Sequence, residues 1–358
     1  MARPPVPGED VANGYLPFLP GCFHMLKRRD LQGLLRVTVV LGGFTILVVL
    51  SWYTLSGADL VLLFKGWAVP AVALTHLVAE AGCGYAWRNI VEPPRPTLWA
   101  FFRARWVRAS VASLTPVSGI GGAMAAVRLA TLGGVTGEVA ISSLLFDSTI
   151  EMAAQIVFTA LGFVALFLFV PRLAIFGWAL TTLFLGLSAV ALLVAAQRLG
   201  ALRLLEASVR RLAARWHRLL SLTEARLHER LMALHQRRGA ALGSGCVHLG
   251  CWFLGAAEIW VALHVLGIPA LAEKCLIIES LSMTARSAGF FVPGALGIQE
   301  AALVMVCGLV GLSPETAMLI AIVKRLRDVV LGIPALAMWQ WMEGRRPRPW
   351  PQPAGGSN

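Results

Sequence analysis

Long uncharged apolar runs are the feature that most limits what this chain can fold into. Residues 37–55 and 173–196 contain no acidic or basic side chain. About 20 such residues cross a bilayer as a helix. Inside lipid, a spanning segment must satisfy its own backbone hydrogen bonds, which a continuous apolar run does as a helix. Hydrophobic residues form 57% of the chain and charged residues 14%. The sequence therefore predicts an all-α polytopic membrane protein.

The net charge of +12 is spread over segments that lie between the apolar runs. This pattern is typical of the cytoplasmic flanks of transmembrane helices, and it argues against nucleic acid as a partner. The basic segments at 1–35, 88–108, 198–238 and 343–358 are therefore predicted to be cytoplasmic. Both termini would then lie on the same side of the membrane.

Enzyme, cofactor and metal signatures are missing from the sequence. The six cysteines show no Cys-x-x-Cys spacing, so neither a disulfide framework nor a zinc site is predicted. No phosphate-binding loop, serine hydrolase arrangement or His-Glu-x-x-His motif occurs. His76, His248 and His264, which fall in apolar segments, are interpreted as isolated packed or interfacial side chains. We expect no catalytic residue, no cofactor and no metal.

Two distant stretches, 108–151 and 285–328, resemble each other when they are aligned without a gap at an offset of 177 residues. The matched pairs include Pro116 with Pro293, Gly134 with Gly311, and Glu138 with Glu315. Each stretch predicts a short apolar helix, a Pro/Gly break, a second short helix and a long helix that carries charge. Broken helices at corresponding positions of two halves point to a transporter-like site at the interface between repeats.

The repeat divides the chain into a first transmembrane half, 36–197, and a second half, 239–342. The segments at about 98–133 and 274–312 are predicted to be re-entrant hairpins, because each of their helices is too short to cross a bilayer. An interfacial amphipathic helix followed by an ordinary loop is the alternative for the first hairpin. The basic linker 198–238 is predicted to be amphipathic and to lie near anionic headgroups, or alternatively to be a solvated helical connection.

The basic flanks also set the direction of each helix. With those flanks in the cytoplasm, the long helix that carries Asp147 runs outward and the long helix that carries Lys324 runs inward. The two hairpins then enter the membrane from opposite sides. The sequence thus predicts two inverted repeats, with six full spans and two re-entrant hairpins in total.

Charged side chains inside the predicted spans are candidates for function, because each costs at least ~2.5–3.5 kcal/mol to insert. Lys324 and Asp328 are four residues apart, which favours an ion pair within one helix. Asp147 and Glu151 have the same spacing but the same sign, so we expect Lys324 and its neighbouring arginines to neutralise them. The network is either a polar path for a headgroup or a coupling proton, or a purely structural one. Its members are Asp147, Glu151, Lys324, Arg325, Arg327 and Asp328.

The two Pro/Gly breaks form the second candidate site. A helix that starts after each break presents free backbone N–H groups, which favour an anion, and the glycines let a phosphate approach the backbone. Glu300 lies near the second helix start, where it would compete with an anion or bind a cation. The candidate binding residues are Pro116, Gly119, Gly121, Gly122, Arg128, Arg286, Pro293, Gly294, Gly297 and Glu300.

The two breaks also carry a family resemblance. Residues 290–300, with the sequence FFVPGALGIQE, are followed by GLSPETA at 311–317 and by Lys324-Arg325. These segments resemble the C-terminal signature of the lysylphosphatidylglycerol synthase transmembrane-region (flippase-like) family, and SLTPVSGIGG at 113–122 resembles its N-terminal signature. The signature positions in this chain are Pro116, Gly119, Gly121, Arg128, Pro293, Gly294, Gly297, Glu300, Lys324 and Arg325.

The resemblance implies a lipid-translocating fold in the bacterial inner membrane. The Gly-Ala-Leu-Gly-Ile-Gln-Glu variant is similar to the branch found with bacterial hopanoid biosynthesis. Members that aminoacylate lipid carry a soluble domain after the membrane part, whereas this chain stops sixteen residues after Met342, so we do not expect a synthase. Ala123 and Ala126 stand where relatives often place a glutamate, which weakens the expectation of equal acidic roles for both hairpins.

These observations predict a lipid transporter that moves an anionic phospholipid or a hopanoid between leaflets, with membrane lipids as its partners. A secondary transporter of a small anionic solute is one alternative. A non-transporting membrane partner of a lipid-biosynthesis enzyme is the other. The sequence leaves the lipid, the direction of transport, its energy source and the oligomeric state open.

Overall fold

The regular secondary structure of the protein is helical throughout the part of the chain that the structure describes. The structure is a computed structural model that describes residues 67–115, 118–169, 224–269, 271–288, 295 and 297–344, with isolated positions between 181 and 195. The helices are α1 (Ala68–Ile90), α2 (Leu98–Leu114), α3 (Ser118–Leu132), α4 (Gly137–Phe169), α5 (Glu224–Gln236), α6 (Arg238–Val265), α7 (Ala272–Ala288), α8 (Ile298–Leu309) and α9 (Pro314–Gly344). The all-helical prediction is confirmed. The predicted span 36–55 and most of 173–196 lie outside the described residues.

Helices α4 and α6 are long and apolar enough to cross a bilayer. Only 33% of the most apolar window of each helix is buried inside the protein, whereas the core helix of a soluble protein would be mostly buried. On α4, Val157, Leu161, Val164 and Leu168 are exposed and follow helical spacing, so they form one outward apolar stripe. Such a stripe is suited to contact with lipid.

The pair α2 and α3 corresponds to the first predicted broken-helix segment, since α2 ends at Leu114 and α3 begins at Ser118. The two helices pack tightly against each other at Gly122. A Cβ atom added to Gly122 would lie 2.6 Å from the backbone carbonyl oxygen of Arg108, which is closer than real side chains come. Glycine at this position therefore lets the two helices approach.

The helices α3 and α8 end in the same way. Gly134 and Gly311 adopt positive φ angles of 100° and 78°. Just after them, the Val135 N–H donates to the carbonyl of Ala130, and the Leu312 N–H donates to the carbonyl of Cys307. These are glycine-dependent helix stops with a six-residue hydrogen-bonded turn. At the offset of 177 residues that relates the two halves of the sequence, Ala130, Gly134 and Val135 correspond to Cys307, Gly311 and Leu312.

Two apolar cores hold the bundle together. The first joins α1, α2, α3, α4 and α9 around Trp87, Phe101 and Leu129. The second joins α4, α6, α7, α8 and α9 around Ile277 and Leu303. Helices α4 and α9 each enter both cores. On α4 the residues Asp147 and Glu151 lie between the two core segments, and on α9 the charged stretch from Lys324 to Asp328 does so. The fold thus places the intramembrane charges between two apolar layers.

Helix α5, at the end of the predicted linker, packs against the bundle. Leu231 and Leu234 are buried against Ile90 and Phe146, while Arg230 Nε lies 3.5 Å from Glu138 Oε2. The helix is therefore amphipathic, with its apolar side on the protein.

Candidate functional site

A cavity of about 240 Å³ lies between α1, α2, α4, α6, α7 and α9. Nine of its lining residues carry a charged side chain, and they come from all six helices. They are Glu80, Arg105, Glu151, Glu258, Glu279, Arg286, Lys324, Arg327 and Asp328. Within membrane helices, charges at this density mark a polar path or a binding site.

The acidic pair of α4 is neutralised from α2. Arg105 binds Glu151 through two parallel hydrogen bonds, of 2.9 Å to Oε2 and 2.7 Å to Oε1. Arg108 Nη1 lies 3.5 Å from the same carboxylate. A guanidinium matches the two oxygens of a carboxylate in this arrangement. The prediction that Lys324, Arg325 or Arg327 neutralises Glu151 is therefore wrong, because this carboxylate binds Arg105 and lies beside Arg108, both on α2.

Asp147, the other acidic residue of α4, binds a histidine. Its Oδ1 atom lies 2.9 Å from Nε2 of His248 on α6, and both side chains are buried. A buried carboxylate requires such a partner to offset its lost hydration. The interpretation of His248 as an isolated packed side chain is correct about its burial and wrong about its isolation. His264, in contrast, is exposed and stacks on Trp260.

The charges of α9 are paired with neighbouring helices. Lys324 donates to Glu279 of α7, and Arg327 donates to Glu258 of α6. Arg327 Nη2 also lies 2.6 Å from Asp328 Oδ1. The predicted pair of Lys324 with Asp328 is wrong, because a carboxylate from the packed helix α7 reaches the ammonium group and the adjacent guanidinium holds Asp328.

His76 of α1 lies between the charges around Arg105 and Glu151 and the charges around Glu258 and Arg327. Its Nδ1 atom lies 2.8 Å from Oε1 of Glu258 and its Nε2 atom lies 3.8 Å from Oε1 of Glu80. Oε2 of Glu80 in turn lies 3.8 Å from Nε of Arg105. A chain of polar groups therefore runs across the cavity from α4 to α9.

Glu300 caps the start of α8, the helix that follows the second break. The N–H of Gly297, at a φ of 82°, donates to Glu300 Oε2 at 2.7 Å, and Arg325 Nε donates to Oε1 of the same carboxylate at 2.7 Å. Glu300 thus occupies the place at the start of α8 where an anion was predicted to bind. Of the two roles that the sequence allowed for Glu300, the structure shows competition for that place. Pro293 and Gly294 lie outside the described residues.

The first break contributes no described residue to the cavity lining. Gly119 and Gly121 lie in the first turn of α3, and Pro116 lies outside the described residues. Arg128 donates to Glu343 at 2.9 and 3.0 Å, which ties α3 to the end of α9. The binding roles of these residues stay predictions.

Arg286 of α7 differs from the other arginines of the cavity. Its Nη1 atom donates to the neutral amide oxygen of Gln299 at 2.9 Å. Among the residues that the structure describes, no carboxylate lies within 4.0 Å of it, whereas Arg105 and Arg327 each bind one. Arg286 is therefore the guanidinium of the cavity that is best placed to receive an external anion.

Several residues of the site were missing from the sequence-based set. Glu80, Arg105, Glu258, Glu279 and His248 all lie inside apolar helices and line the cavity. The cost of inserting a charge into a membrane applies to each of the charged residues. The same argument that singled out Asp147 would have found the four charged residues, had it been applied to every apolar helix.

The fold and the site define an integral membrane protein whose helices enclose a cavity lined with charges. The sequence profile of the family described as the lysylphosphatidylglycerol synthase TM region matches residues 35–335. The chain belongs to this family, which relates it to proteins that handle lipid. No match was found among curated proteins or among solved structures.

Proposed function

We propose that the protein moves a lipid with an anionic headgroup between the leaflets of the bacterial inner membrane. In this proposal the headgroup passes through the charged cavity while the acyl chains stay in the bilayer. A volume of about 240 Å³ is below the range of about 300–1,000 Å³ of pockets that enclose drug-sized molecules. The cavity is therefore of a size for a headgroup and too small for a whole lipid.

The proposal depends mainly on the surroundings of Arg286. This arginine lines the cavity, and among the residues that the structure describes its side chain donates to the neutral amide of Gln299, while most of the surrounding charges are paired with each other. A phosphate or another anionic group that enters the cavity gains the guanidinium of Arg286 without displacing a carboxylate from it. The family relationship adds lipid as the class of substrate, either an anionic phospholipid or a hopanoid with a polar headgroup.

The membrane arrangement that we propose is a pair of inverted repeats. The corresponding helices have similar lengths, with 17 residues in both α2 and α7, 15 in α3 and 12 in α8. At about 1.5 Å per residue even the longest of them extends roughly 26 Å, less than the hydrocarbon thickness of about 30 Å. The shared helix stops at Gly134 and Gly311 support the correspondence. Re-entrant hairpins that enter from opposite sides, with both termini cytoplasmic, follow from it.

We further propose that the protein acts without catalysis and that membrane lipids are its ligands. A role as a membrane partner of a lipid-biosynthesis enzyme remains the competing proposal. It predicts a folded purified protein that binds lipid but does not move it.

The test is lipid translocation in proteoliposomes that contain the purified protein and a fluorescent phosphatidylglycerol. We expect translocation by the wild type, and a loss of at least about 10-fold in Arg286→Gln, because one charge-assisted contact contributes about 1.5–3 kcal/mol. Ala109→Trp places a large side chain in the cavity lining and is expected to block translocation without removing a charge. Arg103→Gln is the control, since Arg103 stacks over Trp99 outside the cavity lining.

Each outcome of this test decides between the proposals. Wild-type rates in both Arg286→Gln and Ala109→Trp would show that the lipid does not pass through this cavity. No translocation of phosphatidylglycerol or of a polar hopanoid by folded wild-type protein would favour the role as a non-transporting partner. Translocation of a water-soluble anion instead of a lipid would favour a solute transporter.

A further inference from the structure

One part of the cavity wall brings together three side chains that commonly bind metal ions. They are Cys83 of α1, Glu151 of α4 and His248 of α6, and one ligand atom from each lies within 4.8 Å of the other two. Sulfur, nitrogen and carboxylate oxygen form a donor set that zinc accepts. We propose that these residues bind a zinc ion that joins the three helices.

His248 is oriented as a metal ligand. Its Nε2 atom lies 2.9 Å from Oδ1 of Asp147, and its Nδ1 atom is buried without a hydrogen-bond partner. Histidine ligands of zinc usually use one ring nitrogen for the metal and the other for a carboxylate or carbonyl. In this arrangement Asp147 fixes the ring through Nε2, which leaves Nδ1 as the nitrogen for the metal.

The cavity wall also holds a second thiol near the cluster. Cys83 is buried, and Cys251 lies on α6 three residues after His248. Both cysteines line the cavity, which gives an ion a route of entry. Cys251 or a water molecule would complete a tetrahedral site, and the Cys83 proton would be released on binding.

The charges around the cluster favour an additional cation. Arg105 and Arg108 face three carboxylates, those of Glu80, Asp147 and Glu151. The carboxylates outnumber the two guanidinium groups by one, and a cation bound beside them offsets that excess in a surrounding of low polarity.

Binding requires Glu151 to give up part of its contact with Arg105. Two other acceptors are available to that guanidinium. Glu80 Oε2 and Asp147 Oδ2 are both buried without a hydrogen-bond partner, and each lies 3.8 Å from a nitrogen of Arg105. A shift of about 1 Å brings such a pair to hydrogen-bonding distance. Ligand atoms around tetrahedral zinc lie roughly 3.4–3.7 Å apart, so the cluster must contract by a similar amount.

The test uses full-length protein in detergent, treated with a chelator, dialysed and then given Zn²⁺ or Co²⁺. We expect one equivalent of Zn²⁺ per chain by elemental analysis, and a cobalt–thiolate charge-transfer absorption band with Co²⁺. Both are lost in Cys83→Ser and in His248→Gln, and Asp147→Asn weakens binding about 10–100-fold because it removes the group that orients the histidine. Cys275→Ser is the matched control, since Cys275 is a buried thiol of the second apolar core.

A wild-type protein that takes up no Zn²⁺ would overturn the proposal. So would a metal content that is the same in Cys83→Ser as in the wild type. If a variant fails to fold, the Co²⁺ spectrum of the wild type still decides, because a bound ion without a thiolate band excludes Cys83 as a ligand. Zn²⁺ is also expected to raise the thermal midpoint of the wild type and of Cys275→Ser but not that of Cys83→Ser.

Discussion

His76 of α1 and Glu258 of α6 are hydrogen-bonded at 2.8 Å, and this contact connects the two groups of charges that line the cavity. Glu258 also accepts a hydrogen bond from Arg327 of α9, while His76 lies beside Glu80 of α1. One carboxylate therefore links three helices. The contact forms because each charged group in this interior needs a partner, and the nearest one is often on another helix.

The first prediction concerns this contact. His76→Ala removes one partner of the buried Glu258 carboxylate, and a hydrogen bond to a charged group contributes about 1.5–3 kcal/mol. We expect a lower thermal midpoint, and in a double-mutant cycle with Glu258→Gln we expect a coupling free energy of about 1 kcal/mol or more. His264→Ala is the control, because that exposed histidine has no contact with Glu258. Additive effects of His76→Ala and Glu258→Gln would show that the contact does not form.

The second prediction concerns Arg105 and Glu151. Arg105→Gln leaves the Glu151 carboxylate with Arg108 alone, at 3.5 Å, and breaking a buried ion pair from one side costs about 3–5 kcal/mol. We expect a sharply reduced yield of folded protein and a lower thermal midpoint. The double variant Arg105→Gln/Glu151→Gln should recover part of this loss, because it removes both charges of the closest pair. A double variant that is less stable than either single variant contradicts the pairing.

The third prediction concerns the close approach of α2 and α3. Gly122→Ala places a Cβ atom 2.6 Å from the Arg108 carbonyl oxygen, so the two helices must separate. We expect a loss of about 1–3 kcal/mol in the free energy of unfolding. Gly250→Ala is the matched control, because a Cβ atom at that helical glycine meets nothing within 4 Å. A Gly122→Ala protein as stable as the Gly250→Ala protein would show that the helices are not in contact there.

The sequence predicted the local features of the fold and missed the partners of its charges. The first broken-helix segment was predicted at about 98–133, and α2 begins at Leu98 while α3 ends at Leu132, because Pro/Gly breaks and apolar periodicity act over a few neighbouring residues. Arg105 and Glu151 lie 46 residues apart in sequence, and no local pattern relates them. Which carboxylate meets which cation depends on how helices pack. This is why Lys324 was assigned to Asp328 although it binds Glu279.

The same difference between local and long-range contacts applies to Glu300 and Arg286. Glycine and proline marked the breaks, and the position of Glu300 three residues after Gly297 predicted its competition for the helix N-terminus. The spacing is local, so the capping contact of 2.7 Å was within reach of the sequence. That no described carboxylate lies within 4.0 Å of Arg286 was not predictable, because it depends on the positions of α7, α8 and α9 together.

The most direct test of the central claim is the headgroup selectivity of translocation. Proteoliposomes would carry fluorescent phosphatidylglycerol or fluorescent phosphatidylcholine, which differ in net charge, and rates would be compared for wild type, Arg286→Gln and Arg103→Gln. We predict that the wild type and Arg103→Gln move phosphatidylglycerol at least about 10-fold faster than phosphatidylcholine, a difference of about 1.4 kcal/mol in activation free energy. We predict that Arg286→Gln loses this preference. An equal preference in Arg286→Gln and the wild type would contradict recognition of the headgroup by the cavity.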